Sequence, residues 1–448
     1  MFRFVLNGQP VHVSGVAPTT TVLEWLRANG HVGTKEGCAE GDCGACTVAV
    51  LSDEGWRSVN ACLVPLPSLA DREVLTVEGL ADEDGLHPAQ TALVDVLGSQ
   101  CGYCTPGFVM SLFTATYRDD VDEDWKKADQ ICGNLCRCTG YRPIQDALET
   151  VAGTCPDDAF ANAIAPTLEP FLTEVAGQKY YRPGDMAELY RVLAREPEAR
   201  IVAGATDLGL DITKKGVRFP CLVSLEALPL AGIERVEDTW RIGATTTLSE
   251  LEARNPIPVI TRMLRYFASR QIKNRATVGG NLCNASPIGD LAPVLMALEA
   301  KVVLASAPGE RRLLLEDFFL DYRQTALLDG EVLVGVEVRE PAPATRLWAH
   351  KVCKRRELDI SAVCAGFAVS VEEGVVIDAR LAYGGMAATT RRAEAAEEAL
   401  LGKPWTRETV EAAAAALDFT PMSDHRGSAW YRDTVARNLL RRFWELEQ

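Results

Sequence analysis

Gly33-Thr34-Lys35-Glu36-Gly37-Cys38-Ala39-Glu40-Gly41-Asp42-Cys43-Gly44-Ala45-Cys46, residues 33–46, sets three cysteines in a C-x4-C-x2-C run among glycines, and Cys62 follows as a fourth thiol. Four thiolates and two sulfides around two ferric ions leave a net negative group that nearby N–H donors must stabilise. Glycine lets the main chain approach such a group and take left-handed angles. The competing reading is an ordinary glycine-rich loop with buried cysteines.

A second set reads Cys101-x2-Cys104 and then Cys136-x-Cys138. Four thiolates suffice for one 2Fe-2S cluster, and the first spacing is the plant-type one. The two sets together predict a chain that carries electrons between two clusters. Cys104 precedes Thr105-Pro106, an N-cap hydroxyl and a proline, and Cys138 precedes Thr139-Gly140-Tyr141-Arg142-Pro143. Both pairs are therefore expected at helix starts, where unsatisfied N–H groups favour an anion. Spacing alone leaves zinc open for either set, and a thiol redox pair for the second. Cys132 is read as a helix residue, not a ligand. The five histidines are scattered, which gives mixed Cys/His zinc sites little to draw on.

Around these sets the pattern changes along the chain. Residues 2–6, the turn Asn7-Gly8 and residues 11–13 read as a hairpin, residues 21–26 as a short helix, and 47–52, 57–59 and 74–77 as further strands. This is a first domain over 1–84. Apolar residues at helical spacing (Leu93, Val94, Leu97; Phe108, Val109, Leu112, Phe113; Ile144, Ala147, Leu148, Val151) predict a small helical domain over 85–158. Prolines 156, 166 and 170 suit a linker, set at 159–178. Two larger segments follow, 179–341 and 342–448, the latter with strands at 363–371 and 375–383 and alanine-rich helices at 392–401 and 407–417.

Length and composition agree with several domains, since 448 residues exceed one ordinary core and 47% apolar residues allow each its own. A formal charge of -16 argues against nucleic acid, whose phosphates require a basic face. No secretory signal or long apolar span is seen, so a soluble cytoplasmic protein with reduced thiols is expected. The run Lys351-Val352-Cys353-Lys354-Arg355-Arg356-Glu357 is basic in an acidic chain and reads as a solvated turn or an anion site.

Two small-residue turns stand out in 179–341. Residues 200–209 run from a strand into Gly204-Ala205-Thr206, and residues 274–290 hold Gly279-Gly280-Asn281 and Asn284-Ala285-Ser286. Consecutive N–H groups in such turns form nests for a pyrophosphate, although mere turns share the composition. No G-x-G-x-x-G occurs, and Gly402-Lys403 is followed by proline, so neither dinucleotide nor Walker signature is met.

The stretches KEGCAEGDCGACTV, QCGYCTPGFVMS, GNLCRCTGYRPI, VAGATDLG, ATVGGNLCNASPIGD and FFLDYRQT, in this order, resemble the molybdenum hydroxylases, and within them the iron–sulfur/flavin subunit of bacterial xanthine dehydrogenases. The resemblance implies an α+β multidomain chain: a ferredoxin-like β-grasp domain, a four-helix cluster domain, an α+β FAD-binding domain of the vanillyl-alcohol-oxidase type and an α+β C-terminal domain. It implies two 2Fe-2S clusters, on Cys38, Cys43, Cys46 and Cys62 and on Cys101, Cys104, Cys136 and Cys138. It also implies FAD held by Val202, Ala203, Gly204, Ala205, Thr206, Asp207 and Leu208, and by Ala276, Thr277, Gly279, Gly280, Asn281, Asn284, Ser286 and Asp290. Phe267, Ala268, Leu333 and Lys351 match further flavin contacts, and Tyr322 would lie near the flavin ring.

The function so implied is electron transfer from a molybdopterin centre through both clusters to FAD and on to NAD, in oxidation of hypoxanthine and xanthine to urate. The molybdopterin domain has no room after 448, so it is expected on a partner large subunit, two small with two large. No catalytic acid or base is assigned to this chain. The alternative is the same role in a hydroxylase of an aldehyde or N-heterocycle.

Overall fold

Phe2, Phe4 and Leu6 alternate with more exposed neighbours along the strand Phe2–Leu6, so one face of it is committed to a core. The computed structural model describes every residue except Asp82, Asp84, Glu357 and Gln448. Asp84, at the first expected domain boundary, and Glu357, closing the basic run, thus lie outside the described residues, as does Gln448. The chain divides into two units, Met1–Pro229 with Ala268–Ala276, and Leu230–Phe267 with Thr277–Gln448.

In the first unit, Asn7 and Gly8 both take positive φ, which turns Phe2–Leu6 into Gln9–Val13 as a hairpin. These strands join a five-stranded sheet in the order Gln9–Val13, Phe2–Leu6, Glu73–Leu75, Thr47–Ser52, Gly55–Asn60. The helix Val22–Ala28 starts at a capping box of Thr21 and Glu24 and buries Val22, Leu23 and Leu26 against that sheet. Helices Pro88–Asp95, Thr105–Thr116, Asp124–Ile131 and Arg142–Val151 follow. Their core of Leu93, Phe108, Leu112, Phe113, Ile144 and Leu148 is shared with Leu51 and Trp56 of the sheet.

The segment read as a linker departs from that reading. Phe171–Val175 is a strand paired with Gln178–Arg182, because Phe171 packs on Tyr180 and Phe2. These join Cys221–Ser224 and Arg200–Val202 in a four-stranded sheet with parallel pairings.

In the second unit, an antiparallel sheet runs Ile233–Val236, Thr239–Gly243, Val332–Arg339, Lys301–Ser306, Gly309–Leu314. A second sheet runs Thr345–Val352, Val363–Glu372, Val375–Gly384, Arg391–Arg392. Helices Glu394–Leu400, Arg407–Ala415 and Ala429–Leu446 cover it over Trp348, Phe367, Tyr383, Leu440 and Phe443. The architecture is α+β and multidomain. Among the described residues no helix is long and apolar enough to cross a membrane.

Candidate functional site

The Cys38 sulfur accepts main-chain N–H groups from Glu40 (3.4 Å), Asp42 (3.3 Å) and Cys43 (3.3 Å), and the Cys43 sulfur accepts that of Cys38 (3.3 Å). Ala39, Gly41 and Gly44 take positive φ within this loop, which curls its N–H groups inward. The contact with the Cys43 thiol and these N–H donors bring Cys38 down to about 5, against its burial. Cys43 is pushed up correspondingly, by its contact with Cys38 and then by burial. Asn60 holds the far side, its Nδ2 donating to the Gly41 carbonyl at 3.1 Å, two residues before Cys62.

The sulfurs approach in pairs: Cys38 with Cys43 and Cys46 with Cys62 in the first set, Cys101 with Cys138 and Cys104 with Cys136 in the second. A two-iron cluster asks for two thiolates per iron. N–H-lined thiols in two pairs fit a 2Fe-2S group.

The second set is the more exposed, with Cys101 and Cys138 at the surface. Cys104 is itself the N-cap of Thr105–Thr116, one residue before the expected cap, because Thr105 Oγ1 bonds Ser99 Oγ at 2.7 Å instead of capping. Burial pushes the Cys104 thiol up to about 12. Cys136 is held low in spite of its burial, since Thr139 Oγ1 donates to its sulfur at 3.2 Å. Cys138 lies short of the last helix, which begins at Arg142 behind a left-handed Tyr141. Cys132 sits at the C-cap of Asp124–Ile131 and turns to Asp129.

The two sets touch through their loops. Leu135 N–H donates to the Cys43 carbonyl at 3.0 Å, one residue before Cys136. Tyr103 OH reaches the Glu36 carbonyl, and Lys35 Nζ reaches the Gly102 carbonyl at 2.9 Å. Sequence reasoning singled out none of these links, since each joins positions far apart in the chain.

The first flavin-type turn also lies in the first unit. Val202 ends its strand, Ala205 takes a φ of 62°, and Leu208 opens the helix Leu208–Thr213 behind Asp207. A Cβ at Gly204 would overlap the Arg275 carbonyl, and Arg275 in turn pairs with Glu226 at 2.7 Å. Ala276 therefore lies directly beside this turn. Carbonyls of Val202 and Ala205 accept from Leu225 and Gly209 N–H groups, so the turn's polar capacity toward a ligand lies on its N–H side. Gly209 packs against Leu63, the residue after Cys62.

The rest of the second turn lies in the second unit. Thr277 caps the short helix Val278–Cys283 through Gly280 N–H at 3.1 Å. Gly279 packs on the Ala244 main chain, so that glycine serves protein packing, whereas a Cβ at Gly280 would meet only Thr277 Oγ1. Asn281 Oδ1 is buried without a hydrogen-bond partner, which leaves it able to accept from a donor on a bound group. Asp290 and Lys351 pair with each other at 2.7 Å, and Ser361 also bonds Asp290. Burial alone would lower the Lys351 ammonium, but the Asp290 carboxylate raises it. Leu333 is buried in Val332–Arg339, while Tyr322 is exposed beside Arg323. Asn284, Ser286 and Phe267 belong to this unit and Ala268 to the first.

Comparison with known proteins covers nearly the whole chain. Residues 4–76 match the 2Fe-2S iron-sulfur cluster binding domain and 76–149 the [2Fe-2S] binding domain. Residues 173–341 match the FAD binding domain in molybdopterin dehydrogenase, and 348–446 the CO dehydrogenase flavoprotein C-terminal domain. The chain thus contains two 2Fe-2S domains and an FAD-binding domain. The xanthine dehydrogenase of Emericella nidulans is 33% identical over 99% of this chain, and the xanthine dehydrogenase/oxidase of Gallus gallus 32% over 98%. The chain spans only 38% and 39% of these relatives. Among solved structures, carbon monoxide dehydrogenase from Hydrogenophaga pseudoflava matches with 29% identity and a TM-score of 0.57, covering 61% of this chain and 96% of that one. Quinoline 2-oxidoreductase from Pseudomonas putida 86 matches with 29% identity and a TM-score of 0.56, covering 59% and 94%.

Proposed function

We infer the function from the family to which this chain belongs: its four consecutive domains make it the iron–sulfur and flavin part of a molybdenum hydroxylase. Within that family it serves as the electron-transfer subunit of an NAD-dependent xanthine dehydrogenase, working with a separate molybdopterin-binding large subunit in a two-plus-two assembly in the cytoplasm. When bound, the clusters pass single electrons and FAD delivers a pair to NAD. Its domains are 1–84 and 85–158 for the clusters, 179–341 for FAD and 342–448 as the C-terminal part, and the segment 159–178 between them ends in the strand Phe171–Val175.

The observation that carries this reading is the hydrogen bond from Leu135 N–H to the Cys43 carbonyl. It joins the exposed quartet, Cys101, Cys104, Cys136 and Cys138, to the deeper one, Cys38, Cys43, Cys46 and Cys62. Gly209 on Leu63 then joins the deeper quartet to the turn 202–208. That order supports a path that runs from the exposed quartet through the deeper one toward the flavin turn. The chain's own work is to supply N–H donors to Cys38, a hydroxyl to Cys136, and the N–H groups of the turn 202–208 to the flavin nucleotide.

Xanthine is favoured over other substrates because the relatives matched along 98–99% of the chain are xanthine dehydrogenases, with clusters before flavin in one polypeptide. A second reading, oxidation of an aldehyde or N-heterocycle, draws on the quinoline 2-oxidoreductase likeness. Purification of the native complex tests both. Iron, FAD, a molybdenum-binding partner and xanthine-dependent NAD reduction are expected. Reduction by quinoline but not xanthine would favour the second reading, and lack of a molybdenum-binding partner would defeat both.

A further inference from the structure

Asn134 stands two residues before Cys136, and its side chain is buried against the loop of the other quartet. Its Nδ2 donates to the Gly44 carbonyl at 3.1 Å, and Gly44 lies between Cys43 and Cys46. A carbonyl only accepts, so this contact fixes which way the Asn134 amide faces. Its Oδ1 is then the acceptor on the other side, taking Ser111 Oγ at 2.7 Å and Gln271 Nε2 at 2.9 Å. The Gln271 amide is oriented by that bond in turn.

The same four groups close on one another. Thr47 Oγ1 donates to the Gly44 carbonyl at 2.7 Å, and Asn134 Nδ2 and Gln271 Nε2 lie 3.3 Å and 3.4 Å from Thr47 Oγ1. Thr47, Ser111, Asn134 and Gln271 are all at most 3% exposed. Each comes from a different part of the redox frame: the strand leaving Cys46, the helix leaving Cys104, the loop entering Cys136, and the segment 269–275 that runs into Ala276. Close approach is possible because Gly44, Gly107 and Gly133 have no side chains where these pieces cross. A Cβ on Gly44 would overlap the Gly133 carbonyl, one on Gly107 the Gly44 carbonyl, and one on Gly133 the Gln271 amide.

Buried polar groups cost free energy unless paired, and a hydrogen-bonded network specifies one arrangement where apolar packing tolerates several; in this one Gln271 Oε1 alone has no partner among the described residues. Two apolar surfaces could slide; one carbonyl reading one amide cannot.

We propose that Asn134 and Gln271 are positioning residues for electron transfer, holding the Cys43–Cys46 and Cys136–Cys138 loops at a fixed spacing and orientation. Gln271 acts through Asn134 and ties the segment leading to the flavin turn into the same knot. This rests on the reading of the two quartets as cluster sites.

The test uses the full chain with its clusters and flavin, as parent, Asn134→Leu, Gln271→Leu and the double variant. Iron content is measured first, then the electron paramagnetic resonance spectrum of the fully reduced protein, where the magnetic splitting between two clusters reports their spacing and mutual orientation. The expected result is unchanged iron, an altered splitting in Asn134→Leu, a smaller change in Gln271→Leu, and no further change in the double variant. Merely structural residues would lower stability and leave the splitting of the folded fraction alone. An unchanged splitting in iron-replete Asn134→Leu overturns the proposal, and should that variant not fold, an unchanged splitting in Gln271→Leu does so. A parent chain without iron signals would overturn the cluster reading itself, whereas two parental signals with unaltered variants overturn the knot alone.

Discussion

The Lys351 ammonium lies 2.7 Å from a carboxylate oxygen of Asp290, and both side chains are almost wholly buried. The two sit 61 residues apart, on the strand Thr345–Val352 and at the N-cap of Leu291–Ala297, so the pair pins one to the other. Removing one partner leaves the other as an uncompensated buried charge, which costs about 3–5 kcal/mol. Lys351→Met should lower stability by that amount in urea unfolding. Lys351→Met with Asp290→Asn should recover part of it, because the stranded carboxylate is gone. A loss of flavin with no loss of stability would instead make Lys351 a flavin ligand first.

Stability should also fall in mild acid through His87. Its Nδ1 accepts the Ala89 N–H at 3.1 Å as the cap of Pro88–Asp95, and its Nε2 bonds Tyr117 OH at 2.8 Å, which donates to Asp158 at 2.6 Å. Burial lowers the His87 pKa below its ordinary value, although Asp158 pulls the other way. The folded chain therefore prefers neutral His87, while the unfolded chain binds a proton below about pH 6.5. The contribution is fully present above that pH and is lost as pH drops toward the lower folded value. His87→Ala should cost about 1 kcal/mol at pH 8 as a lost cap and should flatten the slope of stability as pH falls below about 6.5. An unaltered slope in urea midpoints across that range would contradict the assignment.

Gly209 offers a test of the link between the first quartet and the flavin turn. A Cβ there would press on the Leu63 main chain, next to Cys62, and backbone does not yield easily. Gly209→Ala should cost about 1–3 kcal/mol by overpacking. Gly216, where a Cβ would meet nothing within 4 Å, has a φ of 67°, so its replacement would report backbone strain and is a poor control. Thermal unfolding with flavin content measured alongside distinguishes a packing cost from loss of the cofactor. Stability equal to the parent's would show that the helix Leu208–Thr213 can move off Leu63.

What could be read from the sequence was what is local. The alternation of Phe2, Phe4 and Leu6, the short helix expected over 21–26, and the cysteine spacings each act within a few residues, and the structure has the strand and a helix there, with Thr21 as its cap. The Cys104 cap was misplaced by one residue because Ser99 competes for the Thr105 hydroxyl. The helix Ala429–Leu446 went unread although Ala436, Leu439, Leu440 and Phe443 hold helical spacing, so that signal was present. Asn134 with Gln271, and Asp290 with Lys351, were hidden for a physical reason: one amide or carboxylate carries no mark of a partner 137 or 61 residues away. Glycine told only that space was needed, and at Gly204 and Gly279 the space is filled by protein main chain.

Ligand assignment in the second quartet can be settled by comparing Cys132 with Cys136. Cys132 lies four residues upstream and a thiol there could mimic a ligand, yet its sulfur turns to Asp129 at 3.7 Å, whereas Cys136 pairs with Cys104 and receives the Thr139 hydroxyl. Burial raises the cost of the Cys132 thiolate, and the Asp129 carboxylate beside its sulfur raises it further. Cys132→Ser should keep both cluster signals in electron paramagnetic resonance, at a cost of at most about 1–2 kcal/mol in stability. Cys136→Ser should abolish one signal and keep the other with FAD bound, and Cys43→Ser should do the same for the other cluster. Loss of a signal in Cys132→Ser, or two full signals in Cys136→Ser, would reassign the quartet.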